Sequence, residues 1–260
     1  MINIENAYKE FDKYVSNYEP ENHRVELKID HIKRVAKNSK KLAQELKLSD
    51  EEIKLAELIG IFHDLGRFEQ VRIADTFSDK DSGINHAEMS VKVLFEDNLI
   101  RNYIQDTKYD KIIKLAVLNH NKIKIDDGLN EQELLFSKII RDADKIDIFY
   151  ITTFYEFKPL FWYDNFDQEE INPSILKQIE NRELINYNSV KNNADLIPIF
   201  YAYVFNLYFD CSLEFIAKEK YLDKFTERIK ENFTNKKVHE QTDYILKVCH
   251  EFFKEKGIEW

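Results

Sequence analysis

The chain of 260 residues has little of what many folds need: five glycines, four prolines and two cysteines. So few turn formers argue against an all-β chain with many tight turns. Cys211 and Cys249 are far apart and lack metal-type spacing. They read as reduced thiols, consistent with a cytoplasmic protein and against a disulfide scaffold. Positive charge is also short: 38 Lys and Arg face 48 Asp and Glu, a net charge of −10. Such a surface repels nucleic acid, and no arginine-rich arm, zinc-finger spacing or RNA-binding aromatic motif offsets it. The opening MINIENAYKEFDKY has no basic or apolar leader pattern, so no signal peptide is expected. The most apolar run, LIPIFYAYVFNLYF at 196–209, is shorter than the roughly 20 residues a membrane span needs. Asp195 and Asp210 bracket it and Pro198 interrupts it, so it reads as a core helix and no membrane partner is expected.

What is present points to helices. Hydrophobic residues make up 43% and charged residues 33% of the chain, a globular balance. Apolar positions recur at helical spacing through most of it. One helix is expected from about Asp30 to Leu46. The next begins at Ser49, with Ser49 and Glu52 placed as a capping box, and stops at Gly66. Asn85 is placed as the N-cap of a helix through NHAEMSVKVLFEDN. Further helices are expected at 109–119, 131–149, 173–181, 195–218, 220–232 and 238–256. Between Glu69 and Asn85 runs a polar connector longer than most interhelical loops. After Tyr150 the composition shifts towards aromatics. The expected organisation is therefore an all-α core over residues 1–150 and a helical extension over 151–260 packed on it.

The chemistry lies in an ordered set of polar residues: DHIKRV at His31, FHDLG at His63 and Asp64, NHAEM at His86, NHNK at His120, and RDADKID at Asp144. His31 and His86 are expected in first helical turns, and helix ends converge readily at the mouth of a bundle. Mixed imidazole and carboxylate ligands suit divalent transition ions: Fe, Mn, Co, Ni or Zn. Adjacent helical residues point about 100° apart. His63 and Asp64 can nevertheless share an ion where their helix ends, and the two oxygens of Asp64 could bridge two ions. A single His near a helix end is more often a cap or a hydrogen-bonded core residue; the ordered set is what singles these out. His23, His239 and His250 fall outside it.

This pattern resembles the HD-domain superfamily of metal-dependent phosphohydrolases. Its minimal signature, His…His-Asp…Asp, is matched by His31, His63-Asp64 and Asp144. His86 and His120 make the chain similar to the six-ligand, two-metal branch. The segments GIFHDLGRFEQ, INHAEMSVKVLFEDNLIR and LLFSKIIRDADKIDIF carry the likeness, which is to a group of uncharacterised bacterial HD-domain proteins of similar length. The resemblance covers about residues 25–150 and implies a helical bundle around two metals. It implies that His31, His63, Asp64 and Asp144 hold one ion, that Asp64 bridges, and that His86 and His120 hold the second. It implies hydrolysis of a phosphate ester or anhydride by metal-activated water, on a small phosphorylated substrate such as a nucleotide or dinucleotide. Two departures matter. Arg67 stands where the HD-GYP cyclic-dinucleotide phosphodiesterases carry a lysine, and no GYP triplet appears. The acidic pair of the alarmone hydrolases is also replaced, by Leu65 and Gly66. What remains is more like the symmetrical diadenosine tetraphosphate hydrolases.

Around this set, Arg67 is placed three residues past Asp64 to meet a phosphate, as a catalytic or substrate-binding group; the alternative is a cation at a helix C-terminus. Arg72 and Lys145 are further candidates for substrate contact, though most charges in such positions are solvated or paired. Asp147 is placed to accept from a ligating histidine or to pair with Arg141 or Lys145. Phe157, Phe161, Trp162, Tyr163 and Phe166 read as packing more readily than as a base-stacking platform. Two other functions stay open: a binding or signalling module without turnover, and a metal-dependent oxygenase. Substrate identity and oligomeric state are not legible.

Overall fold

The structure is a computed structural model that describes residues 2–19, 22–161 and 169–260. The described residues are helical with no strand, as the low glycine and proline content implies. The chain divides into two compact units, Met1–Asp147 and Ile148–Trp260.

In the first unit α1 (Ile4–Val15) leads to α2 (His23–Glu45), α3 (Asp50–Phe62) and α4 (Gly66–Ala74). The short helices α5 (Asp79–Ser82), α6 (His86–Val91) and α7 (Ile100–Tyr103) precede α8 (Asp110–Asn119) and α9 (Glu131–Phe154), of which the residues up to Asp147 belong to this unit. The α3 start follows the expected capping box: Glu52 N donates to Ser49 Oγ, and the Glu52 carboxylate accepts from Ser49 N at 3.0 Å. α3 is buried on almost every side, with Leu55, Leu58, Ile59, Ile61 and Phe62 no more than 1% exposed. A helix apolar all round must be central. Its partner α2 comes close because Gly60 lacks a side chain; a Cβ there would lie 2.5 Å from Ala36 Cα. That contact sets the separation of the helices carrying His31 and His63.

Three expectations change here. First, α2 begins at His23, capped by Asn22, so His31 lies in its third turn and not its first. Second, Gly66 does not stop a helix; it starts α4, with no positive φ. The glycine is required by packing: a Cβ would meet His86 O at 2.5 Å and also the Ser90 amide. Third, the 69–85 connector is largely ordered, with α4 running to Ala74 and α5 capped by Ser78. Asp75 (φ 48°) and Gly83 (φ 68°) take the left-handed conformations that turn the chain between these pieces.

The second unit contains α10 (Pro173–Glu180), α11 (Ile197–Ala202), α12 (Asp210–Glu219), α13 (Tyr221–Asn232) and α14 (Lys236–Glu255). The single helix expected over 195–218 is broken. α11 tightens into a 3-10 turn at Tyr203–Asn206, and Leu207 and Phe209 are extended before α12 restarts at Asp210. Aromatic and β-branched residues lose rotamer freedom in a helix, and the run Tyr203-Val204-Phe205 concentrates them. Asp195, fully buried, accepts from the Asn172 and Lys191 amides at 2.7 and 2.9 Å and joins two loops. Phe157 and Phe161 are core residues that pack with each other, with Phe233 and, from Phe157, with Phe225. That is the packing role; Trp162, Tyr163 and Phe166 lie outside the described residues. Among the described residues no helix is long and apolar enough to cross a membrane.

Candidate metal centre

The first unit brings His31, His63, Asp64, His86, His120 and Asp144 together. His31 comes from α2, and His86 opens α6 behind its Asn85 cap, which accepts from the Ala87 and Glu88 amides. His63 and Asp64 follow the last residue of α3, His120 follows α8, and Asp144 lies within α9. Between α3 and α4 the chain tightens into turns, with Leu65 N donating to Phe62 O and Arg67 N to Asp64 O. This departure from regular α geometry lets the adjacent His63 and Asp64 side chains face one centre.

Asp64 is that centre. Its Oδ2 lies 3.5 Å from His31 Nε2 and 3.6 Å from His63 Nε2. Its Oδ1 lies 3.5 Å from both His86 Nε2 and His120 Nε2. Asp144 Oδ1 joins the first group at 3.3 Å from His31 Nε2 and 3.9 Å from His63 Nε2. His31, His63 and Asp64 thus form one group able to hold an ion, and Asp64, His86 and His120 another. Donor atoms about 2.0–2.2 Å from a common ion stand about 3.0–3.6 Å apart along a coordination edge, which every separation here but the wider Asp144–His63 one meets.

The outward-facing nitrogens explain why the inner ones converge. His31 Nδ1 is 2.7 Å from Asp147 Oδ2, and His86 Nδ1 is 2.7 Å from Asp79 Oδ2. His63 Nδ1 lies 2.8 Å from Gly60 O, and His120 Nδ1 lies 2.6 Å from Val117 O. All four partners can only accept, which assigns a proton to each Nδ1 and turns each Nε2 inward. Nε2 pairs then stand 3.3 Å (His31–His63) and 3.1 Å (His86–His120) apart. Ring nitrogens facing each other at that distance call for a proton or a metal ion between them. Asp64 Oδ1 makes the same demand: it is a buried carboxylate oxygen without a hydrogen-bond partner. The residues present therefore fit divalent metal.

The electrostatics agree. Burial opposes ionisation of Asp64, but Lys28 and the surrounding imidazoles outweigh it and hold the carboxyl well below its ordinary range. Burial lowers His63 to about 3, keeping it neutral and able to ligate. His86 is lowered as well, chiefly by burial. His31 differs: burial and Lys28 push it down, but hydrogen bonding with Asp144, Asp147 and Asp64 prevails and raises it to about 10. Metal uptake through its Nε2 therefore displaces any proton held there, and affinity is expected to rise with pH.

Asp79 is held at about 2; burial opposes this and is outweighed by His86, Gln70 and Arg67. A carboxylate with its folded value below the ordinary 3.8 contributes stability that is present above about pH 4 and lost as pH falls through 2. Asp64 and Asp144 are shifted the same way. Chelator-treated protein followed by circular dichroism is expected to lose thermal stability between pH 4 and pH 2.

The three cations expected to meet substrate are placed differently. Arg67 reaches the cluster. Its Nη1 donates to Gln70 Oε1 at 2.7 Å, to Asp79 Oδ1 at 2.9 Å and to Phe77 O. Those contacts fix the guanidinium with Nη2 3.3 Å from His86 Nε2 and Nε 3.6 Å from Asp64 Oδ1. Arg72 is five residues along α4, so it points about 140° away from Arg67. It pairs with Glu69 and lines a cavity with Tyr18, Val25 and Phe68. Lys145 is buried near Arg141 and Asp142; burial foremost lowers it to about 8.

Four contributors were not singled out from sequence for the parts they play: Lys28, Arg34, Asp79 and Arg141. Arg141 donates to the carbonyls of Asn119 and Ile123 at 2.8 and 3.1 Å and to that of Lys122, holding the loop after His120. Arg34 donates to Asp147 Oδ1 at 2.5 Å and to Oδ2 at 3.0 Å. Asp147 thus fills the expected acceptor role towards His31, with Arg34 as the paired cation and not Arg141 or Lys145. Asp147→Asn keeps the shape but removes the charge that orients His31 and balances Arg34. Metal affinity is expected to fall about 10–100-fold and stability by about 3 kcal/mol, read by metal titration and thermal melting.

No curated protein and no solved structure matches the chain. The family model for the HD domain matches residues 29–148, a span that holds all six clustered side chains. Family and geometry meet in the same residues: the span 29–148 carries an HD domain, and proteins with this domain are generally metal-dependent phosphohydrolases.

Proposed function

We propose that the protein is a dinuclear phosphohydrolase that cleaves a phosphate ester or anhydride of a small anionic substrate, a nucleotide or dinucleotide. His31, His63, Asp64 and Asp144 would hold one divalent transition ion, and Asp64, His86 and His120 the other. When bound, such ions make water nucleophilic near neutral pH and offset charge on phosphoryl oxygens. The observation that carries the reading is the division of Asp64: each carboxylate oxygen has its own pair of inward-facing Nε2 atoms.

The chain's residues supply position and charge. Asp147, Asp79 and the Gly60 and Val117 carbonyls hold the imidazoles in the tautomer that can ligate. Arg67, anchored through Nη1, offers Nε and Nη2 as a fork to a phosphoryl oxygen beside His86. Asp144, with about a quarter of its side chain exposed, marks the side of the cluster open to solvent. Since Lys is a point charge and cannot form the fork, Arg67→Lys is expected to lower kcat/KM about tenfold or more.

The test is an assay of nucleotides, dinucleoside polyphosphates and cyclic dinucleotides with Mn, Fe, Co and Ni, beside an Asp64→Ala control. Turnover of one class, absent in the control, is the expected result. Protein that binds no metal and turns over nothing would overturn the reading in favour of a binding module.

A further inference from the structure

Lys28 lies on α2 three residues before His31, so the two side chains share a helix face. Its Nζ is 2.6 Å from Asp64 Oδ2, the oxygen that also faces His31 and His63. Asp64 Oδ1 has no hydrogen-bond partner. Oδ2 is therefore held by a direct bond from one of the chain's own cations, whereas the cation beside Oδ1, Arg67 Nε, stands off at 3.6 Å. An ammonium and a divalent ion on one oxygen would stand within a few ångströms of each other, where like charges repel strongly in a buried site. They compete for Oδ2.

Lys28 has somewhere to go. Its side chain is about one-fifth exposed, and its Nζ lies 5.4 Å from the Phe77 ring centroid. The Arg67 guanidinium carbon lies 6.0 Å from the same ring, so the two cations that approach Asp64 share one aromatic neighbour. Arg24, a turn earlier on α2, holds this segment by pairing with Asp75 through its backbone carbonyl and its carboxylate. A cation released from Oδ2 here keeps the ring it shares with Arg67, the residue that would meet a bound phosphate.

We propose that Lys28 is an internal counter-ion: it holds Asp64 in the metal-free protein, yields Oδ2 to the first divalent ion, and then contacts the substrate phosphate. This rests on the dinuclear reading above. The test titrates manganese into chelator-treated wild type and Lys28→Met by calorimetry, then inorganic phosphate into the manganese-loaded proteins. Removing the competing charge is expected to tighten binding of the first ion about tenfold, with the second unchanged. The loaded variant is expected to bind phosphate about tenfold more weakly. Lys28→Gln carries the same expectation and serves if the methionine variant does not fold. Wild-type or weaker manganese affinity in the variant would make Lys28 a plain structural pair and overturn the proposal, as would unchanged phosphate affinity. Failure of wild type to bind manganese is a separate outcome: it would remove the dinuclear reading, and this proposal with it.

Discussion

Asp64→Asn is expected to bind less than one metal ion per chain and to lose hydrolysis by well over the roughly 100-fold that losing an outer partner of a ligand costs. The substitution keeps the size and planarity of the side chain but removes its charge and one carboxylate oxygen. Both ligand groups depend on that carboxylate, Oδ2 for His31 and His63 and Oδ1 for His86 and His120. A variant at any one histidine would weaken one group; this one weakens both. Metal analysis and turnover should fall together, while circular dichroism of the metal-free protein keeps its helical content.

Gly66→Ala carries the second large effect, although Gly66 is not among the clustered side chains. An alanine Cβ would meet His86 O at 2.5 Å, Met89 C at 2.8 Å and the Ser90 amide, all of them backbone atoms. Backbone cannot rotate away, so α4 and α6 must separate. Gly66 N would also lose part of its 2.8 Å bond to Ser90 Oγ, a hydroxyl whose single hydrogen lies between His63 O and His86 O. Overpacking of this kind costs about 3 kcal/mol, which corresponds to a melting temperature lower by on the order of 10 °C in a chain of this size. Because the displaced strut carries both His86 and the His63 carbonyl, metal affinity is expected to drop more than stability alone explains. Thermal melting with and without manganese separates the two effects.

The six clustered residues were legible because their side-chain types recur in an order that few structural roles require. The capping box at Ser49 and the Asn85 cap were legible for the same reason: local chemistry decides them. What could not be read was whatever depends on distant backbone. The acceptors for His63 and His120 are carbonyls, Gly60 O and Val117 O, and any residue type could supply them. Asp79 sat in a connector that looked solvated, yet the connector folds back and sets that carboxylate on His86. Lys28 had a local signal, three residues before His31 on one helix, but its partner Asp64 becomes visible only once α2 and α3 pack at Ala36 and Gly60. A glycine after a helix usually marks a stop, but at Gly66 the close approach of α6 explains the residue instead. The break within 195–218 escaped for a related reason, since continuous hydrophobicity does not distinguish one buried helix from two joined by an extended turn.

The most direct measurement is metal content. Protein stripped with a chelator, reconstituted with manganese and freed of excess ion would be analysed by emission spectroscopy beside Asp64→Asn. Two ions per chain in the wild type and less than one in the variant are the expected values. A wild type that retains no manganese, or a variant that retains as much as wild type, would contradict a centre built on the two oxygens of Asp64.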